Sequence, residues 1–331
     1  MDRDNQTKIY KKGGKPLSIE RAQFLSGIAE AYYNEGLNQN EIASRFGVTR
    51  SAISRHLSEA KESGIVTIHV KPLFDKDLDL EERLSAVHPN TNVYVLNTPV
   101  IGSDARAMLL SRYAAYLIYE QLKDDMSVTL TFGTMVDKVV DQLASRAAKK
   151  ISIVQMCGST GVGGEDLDAH TIVAKLSKAY GSPHVYLPAP FMVESDSVRQ
   201  SLQSNPAVVS CCKHAKESDI AIVGMGSLDA EQSSLVLGNH MEPERFNDLR
   251  RAGACGDLGG YMLNSEGLEV NCEQYHPIMA MPFKDFLKVP KRFGVCDGVH
   301  KKEVVKIALQ HGLVTDLVLT SRLATTVAEM L

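Results

Sequence analysis

The sequence has no tryptophan, and aromatic residues make up only 6% of its 331 positions. It also lacks any apolar run of about 18 residues, the length at which a transmembrane helix becomes possible. Its start, Met1 to Lys15, is polar and has no apolar segment of the kind that a secretory signal needs. We therefore expect a cytoplasmic protein that has no membrane partner.

Cysteine is scarce and widely spaced. Among the six cysteines only Cys211 and Cys212 are neighbours, and no C-x-x-C spacing occurs. Two phosphate-binding patterns are missing as well, because no G-x-G-x-x-G follows the first predicted strand and no G-x-x-x-x-G-K-[ST] occurs. The sequence thus predicts reduced, mostly buried thiols, no metal site and no cofactor.

Length and charge indicate two domains with different partners. Hydrophobic residues make up 44% and charged residues 23% of the chain, as in ordinary globular proteins. Residues 1–70 carry ten Lys or Arg against eight Asp or Glu, whereas the whole chain has a net charge of −4. Residues 1–70 are thus slightly basic and the rest of the chain is acidic. This pattern favours a small N-terminal module (the head) that faces a polyanion, joined to a larger domain (the body) with a different function.

A helix-turn-helix pattern occupies this head. From Ser18 to Gly36 apolar residues recur at steps of three and four, which predicts an amphipathic helix. In the next segment, Leu37 to Leu57, Ala43 offers the small residue that two steeply crossing helices need where they touch. Gly47, four residues later, tolerates the positive φ of a tight turn. Thr49 is then placed to cap the second helix.

The start of that second helix is expected to enter the major groove of DNA. The apolar residues Ile42, Val48, Ile53 and Leu57 are expected to pack inward. The polar residues near the helix start then point outward, where Arg can pair with guanine. A plain three-helix bundle with a solvated polar face is the alternative. The β-branched run Ile65 to Val70 predicts a strand, either a wing or a connection to the body. The predicted DNA-binding residues are Gln39, Thr49, Arg50, Ser51, Ser54 and Arg55.

Proline and dense charge between Lys71 and Asp77 mark a boundary, so we expect a head of residues 1–70 and a body of residues 71–331. In the body, short apolar strands alternate with helices, which is typical of a doubly wound α/β sheet. The predicted strands are Asn92–Leu96, Ser127–Thr131, Ile151–Met156, His184–Leu187, Ile220–Val223, Tyr261–Leu263, Arg292–Val295 and Leu317–Leu319. The predicted helices are Arg106–Leu122, Thr134–Ala144, Asp168–Tyr180, Ser197–Ser201, Pro206–Glu217, Lys301–Gln310 and Arg322–Met330.

Glycine-rich segments lie at several predicted strand ends, where ligands bind in such sheets. Phe132 to Met135 follows a strand and opens a helix, so its amides and the Thr134 hydroxyl are suited to a phosphate. Cys157 to Gly164 follows the next strand, and Gly224 to Ser227 and Gly253 to Gly260 complete the set. One such loop often serves turn geometry alone, whereas four together predict a ligand pocket.

Three charged residues are candidates for this pocket: Asp257 in the last glycine segment, Glu194 after a proline-rich turn, and Lys301 at a helix start. A carboxylate accepts hydrogen bonds from sugar hydroxyls, and a lysine meets phosphate oxygens. An exposed loop acid for Glu194 and a solvated helix residue for Lys301 are the alternatives. The predicted effector-binding residues are Gly133, Thr134, Gly158, Ser159, Glu194, Asp257 and Lys301.

Several motifs, in order over nearly the whole chain, are similar to one known family. They are Glu41-Ile42-Ala43, Ser51 to Leu57, Phe132-Gly133-Thr134, Leu187 to Pro190, Ser218 to Gly226, Gly253 to Asp257 and Ala308 to Val318. With these motifs the sequence resembles the SorC family of bacterial sugar-responsive transcriptional regulators. The resemblance implies an effector domain related to sugar-phosphate isomerases and deaminases of the glucosamine-6-phosphate deaminase type, and a homo-oligomer, a dimer or tetramer.

Two positions depart from the family pattern. Met135 stands where a second threonine is usual, and Thr320-Ser321 stands where a Thr-Asp pair is common. A phosphorylated and an unphosphorylated sugar effector are therefore both open.

Two functions follow from these observations. The first is a transcriptional regulator of a carbohydrate-utilisation operon, which binds double-stranded operator DNA and responds to a sugar or sugar phosphate. The second is a phosphosugar isomerase or deaminase with a fused DNA-binding head, which needs a paired acid and base. Asp257 and Glu194 are the only evident carboxylates, and no histidine accompanies them in sequence. We therefore expect a regulator without enzymatic activity.

Overall fold

The computed structural model describes residues 17–66, 73–99, 101–160, 168–237, 241–270 and 278–331. The chain divides into two compact units, and the boundary falls between Leu73 and Phe74. The smaller, N-terminal unit is called the head and the larger unit the body.

Three helices make up the described part of the head: α1 (Ile19–Tyr33), α2 (Gln39–Phe46) and α3 (Arg50–Glu62). Each helix starts at a capping side chain, because Ser18, Asn38 and Thr49 accept hydrogen bonds from the first-turn amides. Between α2 and α3 the chain turns at Gly47, whose φ of 68° is left-handed. The predicted helix-turn-helix, including its glycine turn and its threonine cap, is confirmed.

The core of the head lies among the three helices. Ile42, Ile53 and Leu57 are buried, and they form one cluster with Ile28 and Ala31 of α1. This inward packing was predicted from the sequence, and it is confirmed. Most of the strand predicted at Ile65 to Val70 lies outside the described residues, so it stays a prediction.

The described part of the body contains ten strands. They are β1 (Asn92–Leu96), β2 (Ser127–Leu130), β3 (Ser152–Gln155), β4 (His184–Val185), β5 (Ile220–Val223), β6 (Met225–Ser227), β7 (Ala254–Leu258), β8 (Tyr261–Asn264), β9 (Lys291–Cys296) and β10 (Asp316–Thr320). Seven of them form a parallel sheet in the order β1-β10-β9-β5-β2-β3-β4. The described part of the body also holds eleven α-helices. They are α4 (Leu78–Ser85), α5 (Ser103–Gln121), α6 (Thr134–Ala144), α7 (Ala169–Tyr180), α8 (Asp196–Gln203), α9 (Pro206–Lys216), α10 (Ser234–Leu237), α11 (Arg245–Arg251), α12 (Phe283–Phe286), α13 (Lys302–Gln310) and α14 (Ser321–Glu329).

Both faces of the parallel sheet are covered by packed side chains. Along β5, Ile220 and Ile222 belong to one core cluster, whereas Ala221 and Val223 belong to the other. Successive side chains of a strand point to opposite faces, so a strand buried on both faces is apolar throughout. The continuous apolar strands of the sequence have this cause, and the predicted doubly wound α/β fold is confirmed.

The remaining three strands form a separate antiparallel sheet in the order β6-β7-β8. This sheet corrects two expectations, because Gly224 to Ser227 and Gly253 to Gly260 were predicted as loops and are largely strands. Glycine serves close packing there, since a Cβ at Gly256 would lie 2.7 Å from the Cβ of Val304. The strand predicted at Tyr261–Leu263 exists, but it lies in this second sheet.

Among the described residues, no helix combines the length and the apolar character that crossing a bilayer requires.

Candidate DNA-reading helix and effector cavity

The first turns of α3 present a polar, cationic surface to solvent. Thr49, Arg50, Ser51, Ser54 and Arg55 are all exposed. Thr49 caps the helix, and its Oγ1 also lies 3.1 Å from the Ser51 hydroxyl. The inward residues of α3 fix its rotation about its own axis, so this face is held outward by the core of the head.

Both arginines on this surface are available for an external partner. Within the described part of the chain, neither Arg50 nor Arg55 forms an ion pair, whereas Arg45 of α2 is paired with Glu35. An arginine whose donors are free matches the bidentate acceptors of guanine and the oxygens of phosphate. Gln39 is half-buried at the start of α2, where a helix end can meet the DNA backbone.

A cavity of about 520 Å³ opens at the carboxyl ends of the parallel strands. Asp297 follows β9, Thr320 ends β10, and Thr134 lies just beyond β2. Ligands bind at this edge of doubly wound sheets because the loops and helix starts converge there. The cavity is lined by Ser103, Asp104, Arg106, Ala107, Thr134, Met135, Lys138, Asp229, Gln232, Asp297, Gly298, Val299, His300, Lys301, Thr320, Arg322 and Leu323.

Three helices begin at this cavity without a side-chain cap: α5, α6 and α14. A fourth, α13, also lacks a side-chain cap, but a 3-10 turn (Val299–Lys301) leads into it. Elsewhere, α1, α2, α3, α4, α7, α8 and α9 are capped by a side chain at their first turn, whereas α11 and α12 are not. At α14 the Thr320 hydroxyl donates to Asp297 Oδ1 at 2.9 Å and accepts no first-turn amide. Free first-turn amides and the positive end of the helix dipole suit an anion or a hydroxyl oxygen.

Four cationic side chains line the same cavity. Arg106 is already paired, since its Nε donates to Asp297 Oδ1 at 3.0 Å and to Oδ2 at 2.8 Å. Lys138, Lys301 and Arg322 form no ion pair with any described residue. The cavity therefore has three cations available for a ligand.

The predicted residues Gly133 and Thr134 lie at the start of α6, where Gly133 adopts a φ of 123° and acts as the N-cap position. Thr134 is exposed and lines the cavity, together with Lys301. Two of the seven predicted effector-binding residues thus line one cavity, and a third is next to it in the chain.

Asp257 lies near this cavity without lining it. It is buried on β7, opposite Gly226 of β6, and its Oδ2 accepts the Gly260 amide at 3.1 Å. Burial raises the pKa of Asp257 to about 6, and the Gly260 hydrogen bond and the charge of Lys301 lower it in part. Asp257 is thus a buried carboxylate that lies within electrostatic range of a cavity lysine.

The other predicted effector residues lie elsewhere. Gly158 and Ser159 follow β3, and their amides donate to Met279 and Ala189 carbonyl oxygens. Glu194 is exposed ahead of α8. None of the three lines the cavity, and Gly161 to Gly164 of the same glycine segment lie outside the described residues.

Gly158 offers a test of a packing role. A Cβ there would clash with the carbonyl oxygen of Pro190 and lie 2.7 Å from that of Ala189. We expect Gly158→Ala to lower the free energy of unfolding by about 1–3 kcal/mol because backbone atoms have to move. Urea denaturation measures the loss. Gly102→Ala is the control, since a Cβ at Gly102 meets no atom within 4 Å, and an equal effect of both changes would contradict the packing role.

Sequence reasoning missed six charged residues of the cavity: Asp104, Arg106, Lys138, Asp229, Asp297 and Arg322. Arg106 and Arg322 begin predicted helices and Lys138 lies one turn into a third, so the helix starts were the usable signal. Asp297 follows a predicted strand within two residues, at the edge where ligand sites form.

Comparisons with known proteins agree with this architecture. Residues 73–329 match the family described as "Putative sugar-binding domain", and residues 28–67 match the family described as "Winged helix-turn-helix DNA-binding". The chain is 27% identical over 311 residues to the transcriptional regulator LsrR of Enterobacter sp. (strain 638), and this covers 91% of each protein. It is 26% identical over 297 residues to LsrR of Escherichia coli (strain K12), which covers 89% of this chain and 90% of that one.

Solved structures share the fold. The full-length sorbitol operon regulator SorC from Klebsiella pneumoniae superimposes with a TM-score of 0.70 at 19% identity, covering 92% of this chain and 98% of that chain. A DeoR family transcriptional regulator from Listeria monocytogenes has a TM-score of 0.68 at 23% identity, covering 76% of this chain and 98% of that chain.

The head, the cavity and these matches together define a transcriptional regulator that joins a DNA-binding helix-turn-helix to a sugar-binding domain. More particularly, the chain belongs to the putative sugar-binding-domain family, and the resemblance to sugar-responsive transcriptional regulators found in its sequence is confirmed.

Proposed function

We propose that this protein controls a carbohydrate-utilisation operon, binding operator DNA through α3 and a sugar or sugar phosphate in the cavity of the body. The observation that carries the proposal is the set of uncapped helix starts and unpaired cations around one cavity, in a chain that also presents free arginines on a recognition helix. A ligand changes DNA affinity only if it binds two arrangements of the protein unequally.

The site is proposed to use the cavity residues Thr134 and Lys301 directly, with Gly133 shaping the start of α6. Asp257 does not line the cavity, and it is proposed to affect effector binding indirectly, through the interaction of its charge with Lys301. At the head, Gln39, Thr49, Arg50, Ser51, Ser54 and Arg55 are proposed to contact DNA.

Assembly and location belong to the same proposal. Helix-turn-helix proteins bind two half-sites about 34–36 Å apart as symmetric dimers. We therefore propose a cytoplasmic homo-oligomer, a dimer or a tetramer, that binds a palindromic operator. The oligomeric state follows directly from light scattering of the purified protein with and without operator DNA.

Lys301→Gln tests the effector site. A screen of sugars and sugar phosphates by thermal shift should find compounds that stabilise the wild type by several degrees, since a ligand at 100 times its Kd contributes about 2.7 kcal/mol. We expect the variant to lose this stabilisation because the amide removes the cation from the cavity. Lys302→Gln removes the same charge from the next residue, which does not line the cavity. This control should keep the ligand-induced stabilisation. If both variants keep the ligand-induced stabilisation, Lys301 is not an effector-binding residue.

Enzymatic turnover is the competing function. Asp257 is a buried carboxylate near the cavity whose pKa is raised, and it is the group that would serve as a base. We expect no turnover of phosphosugars by the wild type, measured by product formation under conditions where binding is saturated. If the wild type turns over a phosphosugar and Asp257→Ala abolishes that turnover, the proposal that the protein is a regulator without enzymatic activity is wrong.

A further inference from the structure

Three aspartates line the cavity, Asp104, Asp229 and Asp297, and Asp297 forms an ion pair with a lining arginine. Asp297 follows β9, and its side chain is only 10% exposed. Arg106 holds both of its oxygens, and Thr320 donates to Oδ1 at 2.9 Å. This arrangement fixes the carboxylate in place, with a charge-assisted pair behind it.

The same contacts leave Asp297 able to accept further hydrogen bonds. An ionised carboxylate has about four lone-pair sites. Two Arg106 contacts and one from Thr320 are the side-chain donors that the described residues supply to it. Oδ2 has Arg106 alone, so a ligand hydroxyl in the cavity has an acceptor there.

Charge is therefore distributed unevenly around the cavity. Lys138, Lys301 and Arg322 have no ion-pair partner among the described residues, whereas the positive charge of Arg106 is neutralised by Asp297. An anionic group is favoured next to the three free cations. Next to Asp297 an anionic group meets a like charge and an arginine that is already occupied.

We propose that Asp297 is a specificity-determining residue that limits the effector to one anionic group, with a neutral hydroxyl-bearing end placed against the carboxylate. The ligand class is then a sugar monophosphate or a sugar acid, and a bisphosphate is rejected. This inference rests on the proposed function, because it concerns the same cavity. Rejection by an unpaired or repelled charge is a common way to build selectivity.

The test is the ratio of two dissociation constants, measured by isothermal titration calorimetry with matched compounds. Glucose 6-phosphate carries one phosphate and glucose 1,6-bisphosphate carries two on the same sugar. Orthophosphate serves as a probe for the free cations alone. The full-length wild type should bind orthophosphate and glucose 6-phosphate, and it should bind the bisphosphate at least about tenfold more weakly than the monophosphate.

Two variants should move this ratio in opposite directions. Asp297→Asn keeps the size of the side chain and an acceptor for Thr320, removes the charge and frees Arg106, so the preference for the monophosphate should fall about tenfold or more. Arg106→Gln leaves Asp297 uncompensated, so the preference should rise. The second variant keeps the inference testable if the first is unstable. Asp79→Asn removes one carboxylate from the exposed start of α4, which does not line the cavity, and should leave the ratio unchanged.

An unchanged ratio in both Asp297→Asn and Arg106→Gln, with binding retained, would overturn the role of Asp297 and leave the regulator intact. A wild type that binds the bisphosphate as tightly as the monophosphate would overturn it too. Failure of the proposed function has a different signature, since no compound of any charge would then bind the cavity or change operator affinity.

Discussion

Replacing Arg50 and Arg55 together with alanine is expected to weaken operator binding by roughly a hundredfold or more. Both guanidinium groups are exposed at the start of α3, and neither forms an ion pair with a described residue. An arginine that pairs with guanine through two hydrogen bonds contributes about 1–3 kcal/mol of discrimination, and tenfold in affinity corresponds to about 1.4 kcal/mol. A loss of this size follows if both arginines read bases. A smaller loss, uniform over all sequences and with a shallower salt dependence, indicates phosphate contacts.

The measurement begins with operator fragments that the wild type selects from a random pool of duplex DNA, followed by fluorescence anisotropy at two salt concentrations. Lys61→Ala is the control for the loss of one positive charge, because Lys61 lies at the exposed far end of α3. Ligand-induced stabilisation of the body should be unchanged in all variants. Operator affinity that is equal in wild type and double variant would refute the recognition-helix assignment.

The second large effect is expected at Asp257. Burial raises its pKa to about 6, from a usual value of 3.8. Between these two values the folded protein holds a proton that the unfolded chain has released, so the free energy of unfolding falls as pH rises. The loss reaches about 3 kcal/mol above pH 6, because each pKa unit corresponds to about 1.4 kcal/mol. Below pH 4 both states are protonated and the difference disappears.

Asp257→Asn removes this titration. We expect the variant to be more stable than the wild type at pH 7.5 by up to about 3 kcal/mol, and equally stable near pH 4. Urea denaturation at several pH values measures both, with Asp104→Asn as the control carboxylate that is exposed. A difference in stability that does not change with pH would contradict the buried titration. A gain in stability at neutral pH would also mean that the ionised Asp257 carboxylate lowers the free energy of unfolding of the wild type. Such a destabilising charge is expected of a group that serves binding.

The fold was largely predictable because its signals are local or periodic. Gly47 with Ala43 and Thr49 predicted the turn, the crossing and the cap of the helix-turn-helix. Strands buried on both faces, such as β5, are apolar at every position and stand out. The second sheet was missed because β6 and β7 contain glycines that look like loop residues, and only the packed structure shows Gly256 against Val304.

The sequence predicted where the cavity lies, but not most of the residues that line it. Thr134 and Lys301 follow from helix starts after strands, a rule that acts over a few residues. The pair of Arg106 and Asp297 joins residues 191 positions apart, and pairing of that range has no local signal. Glu194 illustrates the reverse case, since an acid in a promising loop lies exposed outside the cavity.

The uncapped starts of α5, α6 and α14 have a mechanical consequence. The residues that begin these helices are far apart in the chain, at Ser103, Thr134 and Ser321. One small molecule whose oxygens accept their first-turn amides would act as a common cap for all three, and so as a non-covalent cross-link between distant segments. Ligand binding would then restrain the whole carboxyl edge of the sheet at once. A compound of a few atoms would thereby reduce the motion of a body of about 250 residues.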